Sequence, residues 1–276
     1  MKGPLKINFE ALWQEGMHDW NGQMPVRMVD DALEEAFWAA SMSKKKPRQT
    51  DHYAEKIVEV IKQHIDSTDT VLEIGPGWGN YTFPLEQYAA SVTCVDSSES
   101  VLAYLKTHTN NTQFVHAKFE EANLEQHDVV IGVNCFYRMY YMNQTLLKMN
   151  SLARKRAIIG MTTGPIQPHY NVLHDKYGYA IKFPRRDYIE IVNMLYQLHI
   201  FADCQMIPLV REYRYDSKEG LLAAQSKKII NTSFDLAHVE EALEPFITIE
   251  GKEYVYRHTF YAAVISWTPN ESVGNK

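Results

Sequence analysis

The chain has 276 residues, of which 45% are hydrophobic and 22% charged, and its net charge is −6 at neutral pH. This length suits one α/β domain with additions, which can bury a full core without disulfides or structural metal. The acidic charge argues against a nucleic-acid partner, because neutralising phosphates requires a basic surplus. We expect neither a secretory signal nor a membrane partner, since the N-terminus is mixed in character and no apolar run could cross a bilayer.

The first 50 residues are predicted to form a helical cap. Trp13, Met17 and Trp20 have helical spacing. After Pro25, residues 26–42 are predicted to form one helix. The residues expected on its apolar face are Val29, Leu33, Ala36, Phe37 and Ala40.

Strand and helix signals alternate from residue 51 to about residue 162. The expected strands cover 70–74, 91–95, 113–116, 128–133 and 157–161. The expected helices cover 53–65, 79–89, 98–107 and 144–152. This alternation implies a mostly parallel sheet with helices on both faces.

The second half of the chain departs from this alternation. A helix is expected over 187–199, extended chain over 204–215 and a long aromatic and β-branched strand over 254–267. Residues 163–185 and 217–252 are interpreted as insertions, and the second is expected to hold helices over 218–230 and 237–243. We therefore predict a cap over 1–50 and a single α/β domain over 51–276 that carries both insertions.

Three cysteines, Cys94, Cys135 and Cys204, lie far apart and lack the spacing of metal ligands. Each stands in an apolar stretch, where cysteine behaves as a small hydrophobic residue. We expect buried, reduced thiols in a cytoplasmic protein that has no metal site.

The densest signal in the sequence runs from Val71 to Thr82. A buried strand enters a loop with glycine at alternate positions, and a helix begins there. Glycine lets a ligand lie directly against the backbone, and ligands of α/β sheets bind in the crevice at the carboxyl ends of the strands. About 20 residues later the next strand ends in Asp96, which is positioned to accept hydrogen bonds from both hydroxyls of a ribose.

Two cofactor classes fit this layout. A dinucleotide fingerprint would need a third glycine where Asn80 stands. Glu73, Gly75, Gly77 and Gly79 instead match the form acidic-x-Gly-x-Gly-x-Gly, and residues 50–162 resemble the class I S-adenosylmethionine (SAM)-dependent methyltransferases, which have this first motif. SAM has no pyrophosphate, and an acidic residue suits its positive amino and sulfonium groups. The alternative is a glycine turn in an unrelated α/β protein.

The resemblance implies an enzyme with a Rossmann-like methyltransferase sheet, mostly parallel with an antiparallel final strand, and SAM as its cofactor. It places Phe119 on the adenine face, although Phe119 is equally typical of an ordinary core position. The residues expected to bind SAM are Glu73, Gly75, Gly77, Gly79, Tyr81, Asp96, Ser97, Phe119 and Asn134.

The loop after the fourth strand is expected to face the methyl group and the acceptor. In methylases of nucleic-acid bases it holds Asn or Asp, a spacer, Pro and an aromatic residue, and Asn134 and Tyr137 resemble the two ends of that pattern. Phe136 replaces the proline. We expect methylation of a small molecule, with an RNA adenine N-methyltransferase and a non-catalytic SAM-binding regulator as alternatives. The first strand and its glycine loop also look like those of ribosomal RNA adenine dimethyltransferases.

Methyl transfer is an in-line displacement that depends mainly on alignment of the reactants. A base is needed only for a protonated acceptor, and His169 and His174 are the candidates, against the alternative of ordinary loop polarity. Tyr137 is the third candidate catalytic residue. Trp13, Trp20 and Trp38 are candidates for an aromatic wall or for core positions.

The acceptor site is expected between the cap, the 134–137 loop and the first insertion, since both additions are rich in aromatic residues. Deleting residues 1–40 is then expected to lower activity much more than SAM affinity. A small-molecule acceptor is the expected partner, and the protein is expected to be a monomer or a homodimer.

Overall fold

The structure is a computed structural model, and it describes residues 4–46, 50–163, 167–183 and 186–270. The chain divides into two compact units. The first covers Met1–Met161, Arg186–Ile207 and Ala263–Lys276, and the second covers Thr162–Arg185 and Pro208–Ala262. The two predicted insertions fall almost entirely within the second unit, and the predicted cap falls within the first. The division into a cap and one domain stays a prediction.

Eight strands form a mixed sheet. They are β1 (Thr70–Ile74), β2 (Ser91–Asp96), β3 (Thr112–His116), β4 (His127–Val133), β5 (Ala153–Thr163), β6 (Asp203–Tyr215), β7 (Ile247–Glu250) and β8 (Glu253–Trp267). Their order is β3-β2-β1-β4-β5-β8-β6, and β7 pairs with β8. Strands β1 to β5 pair in parallel, and β7 runs antiparallel to β8. The expected sheet, mostly parallel with an antiparallel final strand, is confirmed.

Eleven α-helices occur in the described residues. They are α1 (Phe9–Gly16), α2 (Val26–Val29), α3 (Asp31–Met42), α4 (His52–Lys62), α5 (Thr82–Tyr88), α6 (Glu99–Lys106), α7 (Met142–Leu152), α8 (Pro168–Tyr177), α9 (Tyr188–Gln197), α10 (Lys218–Gln225) and α11 (Leu236–Leu243). Side chains of Asp51, Ser98, Ser217 and Asp235 cap α4, α6, α10 and α11, and so set where these helices begin. None of the described helices has the length and apolar character that a membrane span requires.

The core of the first unit is built on β1 and β4. Both strands are apolar runs with the burial of central parallel strands, and Leu72 and Val130 are fully buried. Helix α1 packs Trp13 and Met17 into the same core. The indole nitrogen of Trp13 also donates a hydrogen bond to the carbonyl of Met139 at 2.9 Å. Helix α1 is therefore an integral part of this unit.

The helix predicted over residues 26–42 is two helices in the structure. Asp30 has an extended backbone, and its carboxylate accepts hydrogen bonds from the amides of Ala32 and Leu33, which ends α2 and caps α3. The predicted apolar face was also wrong: Val29 and Leu33 are 66% and 46% exposed, whereas Glu34 is 4% exposed. Helix α3 turns inward a polar face on which Glu34 has several hydrogen-bond donors, and hydrophobic periodicity does not reveal such a face.

Trp20 lies outside a helix, because α1 ends at Gly16. The carboxylate of Asp19 accepts hydrogen bonds from the amides of Asn21 and Gln23, and this turn breaks the helical spacing. Trp20 is half exposed rather than packed in the core.

The second unit has its own core, in which Tyr170, Leu173, Val239, Leu243 and Tyr256 are fully buried. Helix α10 stops at Gln225, short of its predicted end. The chain near Ile229 instead pairs antiparallel with Ile181, which removes it from the helix. Strand β7 was not predicted; it forms a hairpin with β8.

Cys204 is exposed, contrary to the prediction, whereas Cys94 is buried and Cys135 is partly buried. Cys204 lies near the start of β6, and β6 is the last strand in the order of the sheet. Its first four residues are exposed, so an apolar stretch of sequence there is not covered.

Candidate cofactor site

The loop after β1 is built on glycines with a left-handed backbone. Gly75, Gly77 and Gly79 have φ angles of 58°, 49° and 76°, a region that side chains disfavour. At Gly75 a Cβ atom would lie 2.5 Å from the Cβ of Cys135, so the loop after β4 packs directly against this backbone. The loops after β1 and β4 are thereby held together, as a shared ligand site requires.

Asp96 ends β2 beside the glycine loop. Its Oδ1 atom accepts a hydrogen bond from the amide of Ser98 at 2.8 Å. Burial is the largest influence on this carboxyl, and the nearby Glu35 and Glu34 add to it, so the pKa of Asp96 rises to about 6.

Glu73 is buried beneath the same loop. Its Oε2 atom accepts hydrogen bonds from the hydroxyl of Thr82 at 2.7 Å and from the thiol of Cys94 at 3.5 Å. Burial raises the pKa of Glu73 to about 7, and the two donors only partly offset this effect. At neutral pH its charge is therefore sensitive to what binds nearby.

Helix α3 contacts the segments that follow β1 and β2. A Cβ atom on Gly77 would lie 3.2 Å from the ring of Trp38, and the rings of Trp38 and Trp78 meet edge to face at 5.4 Å. One turn away, Glu35 accepts hydrogen bonds from the amide and the hydroxyl of Ser100, at 3.0 and 2.5 Å.

The same helix contacts the segments that follow β3 and β4. Asp31 forms ion pairs with Lys118 at 2.7 Å and with Arg138 at 2.5 Å. The hydroxyl of Tyr137 donates to the carboxylate of Glu34. Helix α3 therefore reaches the carboxyl ends of four neighbouring parallel strands, which is the edge where ligands of α/β sheets bind.

Glu34 is a buried carboxylate with several donors. Its two oxygens also accept hydrogen bonds from Arg27 Nε at 2.9 Å and from Trp38 Nε1 at 2.8 Å. Burial alone would raise the pKa of Glu34, but these bonds together hold it below its usual value. The group is a fixed negative charge above the glycine loop.

A cavity of about 200 Å³ lies between α3 and the segments after β2 and β3. Ser97, His116 and Lys118 line it, together with Glu35 and Arg138. Two atoms of this lining, Glu35 Oε2 and Arg138 Nε, are buried and have no hydrogen-bond partner in the described part of the chain. A ligand that carries both donors and acceptors would satisfy them.

A comparison with known protein families identifies one class. A family model described as a methyltransferase domain matches residues 71–155, the segment from β1 to the start of β5. Residues 71–155 therefore form a methyltransferase domain. This confirms the expected family, the enzyme class and SAM as the cofactor.

Solved structures show the same fold. The YcgJ protein of Bacillus subtilis is 15% identical with a TM-score of 0.51, and the match covers 80% of this chain and all of that one. A Bacillus halodurans protein assigned as a methyltransferase is 11% identical with a TM-score of 0.52, covering 77% and 97%. A protein so assigned from Haloferax volcanii, solved with the Trm112 activator, is 11% identical with a TM-score of 0.52, covering 88% and 98%. The curated proteins give no significant match.

The candidate cavity suits the polar groups of SAM. Its adenosine carries hydroxyl and amine donors as well as ring acceptors, and the cavity offers an unpartnered acceptor on Glu35 and an unpartnered donor on Arg138. Asp96 stands at the tip of β2 next to Ser97, which lines this cavity. Because the loop after β1 is built on glycines, a cofactor can approach its backbone closely.

The other predicted SAM-binding residues have different settings, and their role stays a prediction. Tyr81 is buried at the start of α5, and burial raises the pKa of its hydroxyl above the usual range. Asn134 follows β4, is exposed and has a φ of 54°. Its backbone amide donates a hydrogen bond to the carbonyl of Gly160.

Phe119 packs in the core of the methyltransferase unit, at a position where adenine contact was one of two expectations. The ammonium of Lys148 on α7 holds the chain around it. It donates to the carbonyls of Phe119, Glu120 and Ala122 at 2.6, 3.1 and 2.6 Å. The three carbonyls match the three donors of an ammonium, so this loop has a fixed shape.

The candidate catalytic residues fall in both units. Tyr137 lies in the first, bonded to Glu34; burial and this bond raise the pKa of its hydroxyl. His169 and His174 lie on α8 in the second unit. His169 is fully buried between Tyr256 and the carbonyl of Gln225, and burial lowers its pKa to about 4.

A ring nitrogen of His174 pairs with the carbonyl of Tyr179 at 3.1 Å, and the side chain is exposed. The base role of either histidine stays a prediction. So does the absence of a metal, although no group of three metal-ligating side chains occurs among the described residues.

Sequence reasoning missed Asp31, Glu34 and Glu35 as site residues. The available signal was two adjacent acids inside a helix whose other side is apolar. Such acids usually mark the solvent face, and only the contacts of α3 show the reverse.

Proposed function

We propose that this methyltransferase transfers the methyl group of SAM to a small-molecule acceptor. The observation that carries the proposal is the position of α3, which spans the carboxyl ends of β1, β2, β3 and β4 through side-chain contacts. A site covered in this way favours an acceptor small enough to be enclosed, and enclosure keeps water from the methyl group.

SAM supplies the activated methyl group, and the chain supplies binding and alignment. In this proposal the glycine loop binds the cofactor and Asp96 accepts hydrogen bonds from ribose hydroxyls. The loop after β4 faces the methyl group. The residues proposed to bind SAM are those predicted: Glu73, Gly75, Gly77, Gly79, Tyr81, Asp96, Ser97, Phe119 and Asn134. Holding acceptor and methyl group in line can supply an effective molarity of about 10⁵–10⁸ M.

Tyr137 is proposed to orient the acceptor. The hydroxyl of Tyr137 donates its proton in a hydrogen bond to Glu34, so the phenol oxygen can only accept a hydrogen bond from a ligand. A methyl acceptor that carries a hydroxyl or amine group could donate a hydrogen bond to the Tyr137 oxygen. This bond would turn the lone pair of the methyl acceptor toward the methyl group of SAM.

An RNA acceptor is the second candidate, and charge argues against it. Asp31, Glu34 and Glu35 line the cavity, Asp96 ends β2 next to Ser97 of the same lining, and the chain carries a net charge of −6. Phosphates would meet repulsion there. A non-catalytic SAM-binding regulator is the third candidate. The cytoplasmic location and the monomeric or homodimeric state stay predictions.

The test measures conversion of labelled SAM to S-adenosylhomocysteine (SAH) with pooled small-molecule extracts, and separately with ribosomal RNA. We expect label in a small-molecule fraction and RNA binding no tighter than about 10⁻⁴–10⁻⁶ M at physiological salt. Nanomolar binding and labelling of RNA would replace the proposal with the second candidate. SAM binding without turnover on any acceptor would favour the regulator.

A further inference from the structure

Glu35 presents one fixed and one unpartnered oxygen to the cavity beside β2. The Oε1 atom is held by the amide and hydroxyl of Ser100 at the start of α6. The Oε2 atom is buried and has no hydrogen-bond partner among the described residues. A side chain held this firmly by one oxygen presents the other in a defined direction.

This oxygen belongs to an ionised carboxylate. Burial raises the pKa of Glu35, but the hydrogen bonds, those from Ser100 foremost, bring it below its usual value. An ionised carboxylate only accepts hydrogen bonds, so the partner that Oε2 lacks is a donor. Leaving such an atom buried and unpaired carries a desolvation penalty.

Asp96 contacts the same short segment. It accepts from the amide of Ser98, whereas Glu35 accepts from the amide of Ser100 two residues later. The two carboxylates are close enough for Glu35 to raise the pKa of Asp96. Two acceptors that repel each other are both satisfied by a ligand with two adjacent donors, and a cis-diol is such a ligand.

We propose that Glu35 on α3 accepts a hydrogen bond from one hydroxyl of the SAM ribose, while Asp96 accepts from the other. This inference rests on the proposed cofactor site and adds to it a residue from the predicted cap. The cavity of about 200 Å³ is smaller than the pockets of roughly 300–1,000 Å³ that hold whole ligands, as suits part of a nucleoside. The predicted cap then contributes to cofactor binding and not only to the acceptor site.

The experiment is calorimetric titration of the full chain with SAH and with its 2′-deoxy and 3′-deoxy analogues. The variants are Glu35→Ala, Asp96→Ala and Glu59→Ala, the last a control at an exposed glutamate of α4. We expect Glu35→Ala to weaken SAH binding about 10- to 100-fold, the effect of losing a hydrogen bond to a charged group. Glu59→Ala should bind as the wild type does.

The analogues decide the assignment. With the analogue that lacks the hydroxyl bound by Glu35, the wild type and Glu35→Ala should differ by less than about twofold, as a double-mutant cycle requires. Asp96→Ala should show the same pattern with the other analogue. Equal losses on all three ligands would mean that Glu35 only supports the loop, and would overturn the proposal.

Two further readouts keep the outcomes apart. Glu35→Gln retains an oxygen for Ser100, so it preserves the fold if the alanine variant does not; its loss should again vanish with one analogue. If the wild type binds none of the three ligands, the proposed cofactor site itself is wrong. If the wild type binds and Glu35→Ala binds equally well, only the role of Glu35 fails.

Discussion

The ring of Trp38 lies over Gly77, with its Cη2 atom 3.2 Å from the point where a side-chain carbon at position 77 would stand. Helix α3 therefore covers the backbone of the glycine loop at this point. A substituent at this glycine would meet an aromatic ring as well as the cofactor.

Gly77→Ala should weaken SAH binding at least tenfold, because the new methyl group crowds Trp38 and the φ of 49° disfavours a side chain. Gly22→Ala is the matched control. Gly22 has a φ of 75° but nothing within 4 Å of its Cβ position, so this variant should lose stability without losing affinity. Titration calorimetry measures both. Equal affinity losses would assign the effect to backbone strain alone.

The burial of Glu73 gives the protein a pH-dependent stability. Its pKa rises from 4.5 in the unfolded chain to about 7 in the folded one. The stabilising contribution is therefore complete below pH 4.5 and is lost as the pH rises through about 7, an effect on the order of 3 kcal/mol.

Glu73→Gln should remove this dependence, since the amide oxygen can still accept from Thr82. Urea unfolding at pH 5, 6, 7 and 8 should show the free energy of unfolding falling for the wild type relative to the variant. Parallel curves for the two proteins would contradict the raised pKa.

Tyr137→Phe should lower the free energy of unfolding by about 1–3 kcal/mol, because the buried carboxylate of Glu34 loses a donor. Tyr141→Phe is the control, since Tyr141 is exposed and belongs to the same segment. It should change stability by no more than about 0.5 kcal/mol. Chemical denaturation measures both, and a neutral Tyr137→Phe would remove the hydroxyl from the network that holds α3.

Trp13→Ala should destabilise the fold by about 3–5 kcal/mol, as is usual for emptying a buried aromatic site. Deleting residues 1–40 removes Trp13 and Met17 from the core and Glu35 from the proposed ribose site. We therefore expect the deletion to reduce SAM affinity as strongly as activity, which reverses the expectation from the sequence. Thermal unfolding of Trp13→Ala and of Trp20→Ala, whose ring is half exposed, compares a buried with a peripheral tryptophan.

The sheet was predictable because its signals are local and strong. The runs of β1 and β4 are mostly apolar, with Glu73 as the exception in β1, and such runs are typical of central parallel strands. The glycine loop was equally clear, since three glycines at alternate positions followed by Asp96 mark a site whose backbone must stay open.

The orientation of α3 was not predictable in the same way. Hydrophobic periodicity assumes that the apolar face is buried, and here Glu34 is buried while Leu33 is exposed. Burial of a carboxylate depends on donors far away in sequence, such as Tyr137, which no local pattern reports. The prediction of where α10 ends was wrong for a related reason, because pairing between Ile229 and Ile181 overrides helix propensity.

The loop after β3 takes its shape from Lys148, which lies on α7 about 30 residues later in the chain. During synthesis this loop leaves the ribosome well before the ammonium that gathers its carbonyls, so it can reach its final form only when α7 docks. Removing that one charge by acetylation should loosen the loop while leaving the strands intact.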